Sequence, residues 1–312
     1  MSYRSALRPG LLQERVILVT GGGSGIGRCT AHELAALGAR VIVAGRRADK
    51  LERVRGEIAS AGGRAEAQVL DIREGEQVRE GVAALIARHG RIDGLVNNAG
   101  GQFPSALRDI SDKGWHAVVR NNLNGGFSVM REVYTQSMEA HGGAIVNVVA
   151  SVDFGMPNMG HSGAARAGMI NLTQTAALEW VHAGVRVNAV APGSIATSGM
   201  ATYDPEFQRR IKARRAHIPY RRMGTEAEVS AAICFLLSEA ATYMTGVVLP
   251  VDGGLRLAKH LYPVPEHQAI AAYDPFGRSE LPDWLQDAPE PAPGAPQAPP
   301  DGSEPPDGSE YD

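Results

Sequence analysis

Between Tyr134 and Tyr203 the chain has no tyrosine, and between Lys113 and Lys212 it has no lysine. A Tyr-x-x-x-Lys acid pair is therefore missing from the whole central stretch, not displaced within it. Lysine is scarce throughout, with four residues, and arginine supplies the rest of the positive charge. The two cysteines, Cys29 and Cys234, sit in apolar helical contexts. That excludes a disulfide framework and predicts buried thiols in a reducing compartment. No apolar run reaches the ~18 residues of a membrane span. Residues 1–10 lack the apolar core of a secretory leader, and the chain ends in Glu-Tyr-Asp, not a Ser-Lys-Leu-type address. The histidines show no metal-ligand spacing, so no metal is predicted. The expectation is a soluble, cytoplasmic protein without a membrane partner.

The 312 residues are 44% hydrophobic, which suits one large α/β domain with a short extension. Net charge is −3, unevenly spread: residues 281–312 carry eight acidic side chains and no Lys or Arg. The remaining charge of about +5 is too dilute for a nucleic-acid footprint. Short β-branched runs at 16–19, 41–44, 65–70, 94–96, 144–149, 185–190 and 247–250 alternate with helix-period segments. Those segments are 26–37, 51–59, 78–88, 115–138, 164–181 and 226–237, with 205–216 a further helix where a substrate lid would lie. This alternation predicts a single Rossmann-type α/β domain over 1–260: a doubly wound parallel sheet of about seven strands, with helices on both faces. Residues 261–312 are Pro-rich and acidic, and Pro-Pro-Asp-Gly-Ser-Glu occurs twice in tandem from 299 to 310. Such a tail cannot bury enough apolar area to offset ordering, so it is expected to be largely disordered.

The segment Gly21-Gly22-Gly23-Ser24-Gly25-Ile26-Gly27 follows the first strand and opens the first helix. Glycines there let backbone N–H groups approach a pyrophosphate at the positive end of the helix. Three further signals follow later strands: Asp71-Ile72, which can hold an adenine, Asn98-Ala99-Gly100, and Pro192-Gly193 with Ile195 and Thr197. In an open α/β sheet these carboxyl-terminal strand ends converge on one crevice. The second strand ends in Arg46-Arg47, where an acidic residue would hold a ribose 2′-hydroxyl. Arg46 suits a 2′-phosphate instead, with Arg47 and Arg28 adding positive field, so NADPH/NADP+ is the expected cofactor.

Together these motifs, with Asn97-Asn98-Ala99-Gly100 and Val251-Asp252-Gly253-Gly254 in order, resemble the short-chain dehydrogenase/reductase family from about residue 11 to 254. Gly100-Gly101-Gln102-Phe103, His161-Ser162-Gly163-Ala164-Ala165-Arg166 and Ala177-Leu178-Glu179-Trp180 look most like the family's peroxisomal trans-2-enoyl-CoA and 2,4-dienoyl-CoA reductases. The resemblance implies NADPH as donor, an α,β-unsaturated acyl thioester as acceptor, and a homotetramer. Carried onto this chain, the family's catalytic Asn is Asn122. Its Ser falls at Ala150, beside Ser151, its Tyr at Ser162 and its Lys at Arg166.

A ketone reduction creates an alkoxide that needs an acid of matched pKa. Ser162 is far less acidic than a phenol, and Arg166 stays protonated. Conjugate reduction asks for less: charge builds on an enolate oxygen, which mainly needs fixed donors. Ser162, Ser151, Gln102 and Asn122 are candidates for that role, while Arg166 can hold the nicotinamide ribose. His161 can either protonate Cα or line the pocket without titrating. Phe103, Asp153, Met159 and Tyr203 are candidate substrate contacts. The reading is an NADPH-dependent enoyl-thioester reductase. The alternatives are a reductase or dehydrogenase acting on a carbonyl, alcohol or imine through another acid, and a non-catalytic NADP(H)-binding regulator.

Overall fold

The computed structural model describes residues 3–258 and 264–286. β1 (Val16–Thr20) is wholly buried, and its β-branched residues suit a strand covered on both faces. In chain order there follow α1 (Gly25–Ala36), β2 (Arg40–Gly45), α2 (Ala48–Ser60), β3 (Arg64–Val69), α3 (Gly75–His89) and β4 (Gly94–Asn97). Next come α4 (Asp112–Val119), α5 (Gly125–Val133), α6 (Glu139–His141), β5 (Gly143–Val148), α7 (Gly160–Glu179) and β6 (Val185–Pro192). α8 (Pro205–Arg214), α9 (Glu226–Leu237), β7 (Val248–Val251) and a short α10 (Asp283–Gln286) complete the fold. The strands form one parallel sheet in the order β3-β2-β1-β4-β5-β6-β7. α1, α2 and α9 cover one face and α3, α5 and α7 the other, each over its own apolar cluster. The order reverses between β1 and β4, and the crevice opens at their carboxyl ends.

Local chemistry sets several boundaries. α8 begins at Pro205 behind an Asp204 cap. α9 opens on a reciprocal capping box between Thr225 and Glu228. The single helix expected over 115–138 is instead interrupted twice, by π-turns at Arg120–Asn124 and Tyr134–Met138. α7 starts at Gly160, four residues before the expected 164, so His161 and Ser162 lie in its first turn.

The largest difference is at the carboxyl side. The described part of the expected tail, 264–286, is an arm laid along α1 and α9. Phe276 is 5% exposed and packs with Cys29 and Ala227. Sequence composition hides this because one aromatic anchor suffices once a pocket exists to take it. The tandem repeat and the rest of 287–312 lie outside the described residues, as do 259–263.

Candidate active site

The glycine turn is held at the switch point by the end of β4. Thr20 Oγ1 accepts from the N–H groups of Asn98 and Ala99, each at 3.0 Å. Asn98 Nδ2 donates to the Thr20 carbonyl at 3.0 Å. Gly27 makes this possible: a Cβ there would fall 2.4 Å from the Gly21 carbonyl oxygen and 2.5 Å from Asn98 Nδ2. The Ser24 side chain does not cap α1, which leaves the first amides of that helix to an anion. The adjoining cleft is lined by Gly21, Ser24, Arg46, Arg47, Asp71, Ile72, Ala99 and Gly100. All eight are among the residues expected from sequence to hold the cofactor.

Arg46 and Arg47 are exposed at the mouth of this cleft. Lys50, in the first turn of α2, joins them, and Asn121 lines the cleft farther in. Neither was singled out from sequence, although Lys50 stands one helical turn beyond Arg46. Arg28 is a correction. It is buried and faces away, with Nε and Nη2 donating to Glu57 at 2.9 and 2.8 Å. Its charge is matched there and adds nothing to the cleft. The Asp71 carboxyl is held below its ordinary range, chiefly by hydrogen bonds from Arg73, and so stays ionised.

At the other end of the crevice, the first turn of α7 sets two buried polar side chains beside the loop after β4. Ser162 Oγ donates to Gln102 Oε1 at 2.6 Å. The Ser162 N–H donates to His161 Nδ1 at 2.9 Å, which assigns the imidazole proton to Nε2. His161 is 0% exposed, and its Nε2 has no hydrogen-bond partner. The Phe103 ring meets the imidazole edge-on, with centroids 4.5 Å apart.

One turn along α7, Arg166 Nη1 donates to the Val148 carbonyl at 2.7 Å. Nη2 lies against Gly100, where a Cβ would fall 2.5 Å away. Burial lowers the Arg166 pKa to about 10, so it remains a cation at neutral pH. No carboxylate pairs with it among the described residues. Asn122 sits in the first π-turn; its Oδ1 accepts from the Gly101 N–H at 2.9 Å, and its buried Nδ2 has no partner. Glycine at 100 thus admits a cation and an amide to one point at the crevice floor.

The remaining candidates are less concentrated. Ser151 is half-buried just past β5, and Asp153 is exposed. Met159 is buried at the amino end of α7. Tyr203 packs edge-on to Phe207 of α8. Ile195 turns its side chain into the core, bridging to Gly224. Gly193 lies close to Asp252, and Thr197 stands beside Gly25. Among the described residues, no group of His, Cys, Asp or Glu is placed to hold a metal ion.

A glycine-lined turn with uncapped amides, a basic mouth and an unmatched cation at the floor suit a phosphorylated dinucleotide. The sequence profile of a family described as enoyl-(acyl carrier protein) reductase matches residues 21–256. The chain belongs to the short-chain dehydrogenase/reductase family. It is similar to the "Probable 2,4-dienoyl-CoA reductase" of Bacillus subtilis, 34% identical over 249 residues, 78% of this chain and 97% of the relative. It is also similar to a 3-oxoacyl-(acyl-carrier-protein) reductase of Thermotoga maritima, 38% identical over 245 residues, 78% of this chain and 98% of the relative. Among solved structures, a citronellol catabolism dehydrogenase of Pseudomonas aeruginosa PAO1 is 55% identical, with a TM-score of 0.74 over 81% of this chain and 99% of that one. Members of the short-chain dehydrogenase/reductase family are oxidoreductases that use NAD(P). The names of these relatives cover both C=C and carbonyl reduction. No helix among the described residues is long and apolar enough to cross a membrane.

Proposed function

We propose that this oxidoreductase uses NADPH to reduce the C=C bond of an α,β-unsaturated acyl thioester. The observation that carries the reading is the pair Ser162 and Arg166 at the positions of the family's Tyr and Lys. The bound nicotinamide supplies hydride, which the substrate takes at Cβ. Arg166, fixed by the Val148 carbonyl and lying against Gly100, is placed to hold the ribose hydroxyls. Arg46, Arg47 and Lys50 favour a 2′-phosphate at the mouth. As the bond is reduced, charge moves to the thioester oxygen. The Ser162 hydroxyl can turn from Gln102 to donate to it, a fixed donor in a site shielded from water. His161 Nε2–H is a buried donor with no other use in the structure, and it can return a proton at Cα. Nothing in this set supplies the phenolic acid that ketone reduction relies on.

A second reading is favoured by the 55% identical structure, whose name refers to citronellol, a branched terpenoid alcohol. On that reading the site would oxidise an alcohol or reduce the matching carbonyl. One assay separates the two: NADPH oxidation with crotonyl-CoA and branched enoyl-CoA esters, against NADP+ reduction with citronellol. Turnover of the alcohol with no reaction of any enoyl ester would overturn the first reading.

We also infer a homotetramer. Phe127 on α5 and Leu178 on α7 are exposed apolar side chains on the two helices that the family resemblance pairs across two-fold axes. Sedimentation showing a monomer at micromolar concentration would refute it.

A further inference from the structure

We propose that residues 273–280 of the carboxyl-terminal arm position the dinucleotide turn, acting through Arg28 and Glu226, and so set cofactor affinity. This rests on the dinucleotide reading of the cleft, not on the choice of acyl substrate. The arm crosses the first turns of two helices and grips each. On α9, the Tyr273 carbonyl accepts from the Thr225 hydroxyl at 2.7 Å, and its N–H donates to Glu228 at 3.3 Å. Ser279 Oγ donates to Glu226 Oε2 at 3.1 Å. On α1, Arg28 Nη1 donates to the Arg278 carbonyl at 2.8 Å and lies 3.4 Å from Glu280. The Arg28 guanidinium also sits over the Phe276 ring, 5.3 Å from its centroid.

Both gripped residues border the phosphate turn. Arg28 belongs to the first turn of α1. Glu226 is 2% exposed, and its Oε1 lies 3.9 Å from where a Cβ on Gly25 would stand. Gly25 is the first residue of α1 and holds a left-handed φ of +55°. The arm therefore fixes, from two sides, the one turn whose amides face a pyrophosphate. With the arm released, Arg28 keeps Glu57 but loses a carbonyl, a carboxylate and a ring. Glu226 then opens to water beside the turn. Binding must re-form that turn each time, and apparent affinity falls by the fraction of molecules in which it is already formed.

The test compares the full chain with Phe276→Ala, Ser279→Ala and a chain ending at Gln286. Two readouts are used: NADPH affinity by titration calorimetry, and amide hydrogen exchange over 21–28 in the cofactor-free protein. Phe276→Ala should weaken NADPH binding about 10-fold and speed exchange over 21–28, as expected when the formed turn drops to a tenth of molecules. Ser279→Ala, which removes one hydrogen bond and little packing, should weaken binding about 3-fold. The chain ending at Gln286 should match the full chain in both. kcat at saturating NADPH should stay unchanged in Phe276→Ala while KM for NADPH rises. If Phe276→Ala does not fold, Ser279→Ala decides. Unchanged affinity and exchange in a folded variant overturn the proposal while leaving the cofactor reading intact. Failure of the full chain to bind either NADPH or NADH overturns both.

Discussion

Replacing Ser162 by Ala removes one hydroxyl from a buried site and probes the proposed chemistry directly. Loss of one oxyanion donor lowers kcat by about 10²–10³, near 3.3 kcal/mol at mid-range. The structure reduces that figure. In the free site the hydroxyl already donates to Gln102 at 2.6 Å, so moving it to the enolate oxygen gives up a neutral hydrogen bond. That bond is worth about 1 kcal/mol, which leaves a net loss of about 2.3 kcal/mol, or ~50-fold in kcat. Stability should change little, because Gln102 is exposed and water can replace the lost donor. NADPH affinity should be unaffected, since Ser162 contacts none of the cleft-lining residues. The assay is steady-state NADPH oxidation with an enoyl-CoA ester at saturation, with NADPH binding measured separately. A kcat within about threefold of the unmodified enzyme would refute the donor role. An equal fall in NADPH affinity would assign the effect to a disturbed α7.

Three further outcomes follow from the site. Arg46→Ala should weaken NADPH binding by about 1.5–3 kcal/mol, the scale of a charged hydrogen bond, with little change for NADH. Equal affinities of the unmodified protein for the two cofactors would remove that argument. Arg166→Lys should keep much of the activity because a cation still reaches the crevice floor, whereas Arg166→Ala should lose cofactor affinity and rate together. Parallel losses in both variants would show that the guanidinium geometry itself is required. Burial pushes the Glu226 carboxyl up from 4.5 to about 7; Ser279 and Arg28 oppose the shift, and Asp274 and Glu280 add to it. A raised carboxyl favours the folded state while protonated. Its contribution is full below about pH 4.5 and is lost as pH rises through about 7. Glu226→Gln should therefore flatten the fall in Tm between pH 5 and 8, and an unaltered slope would count against this assignment.

Sequence and structure agree most closely where the signal is local. β1 and α9 could be placed almost to the residue, because buried β-branched runs and a Thr225/Glu228 capping box act within a few positions. The glycine turn was legible for the same reason. Arg28 was not: its partners Glu57 and Phe276 lie 29 and 248 positions away, and charge counts do not reveal which carboxylate a guanidinium meets. The arm was hidden likewise, since its anchors are Tyr273, Phe276 and Ser279 in an otherwise polar, Pro-containing stretch. The early start of α7 was obscured by Gly160 and Gly163, both poor helix formers. The Ser162–Gln102 bond spans 60 positions and needed the fold to become visible.

The π-turn at Arg120–Asn124 ties the site to the reading frame of a helix. A π-turn closes on the fifth residue instead of the fourth, so it holds one residue more than the helix around it. Removing that residue would restore an ordinary helix and swing everything beyond it by about 100°. Gly125 and Gly126, which now meet Ile72 and Asn97 at close range, would be replaced on that face by residues with side chains. Asn122 would leave the crevice in the same step. A three-nucleotide deletion here is therefore a change of both site and packing, and the surplus residue is one that descent with functioning intermediates could not readily discard.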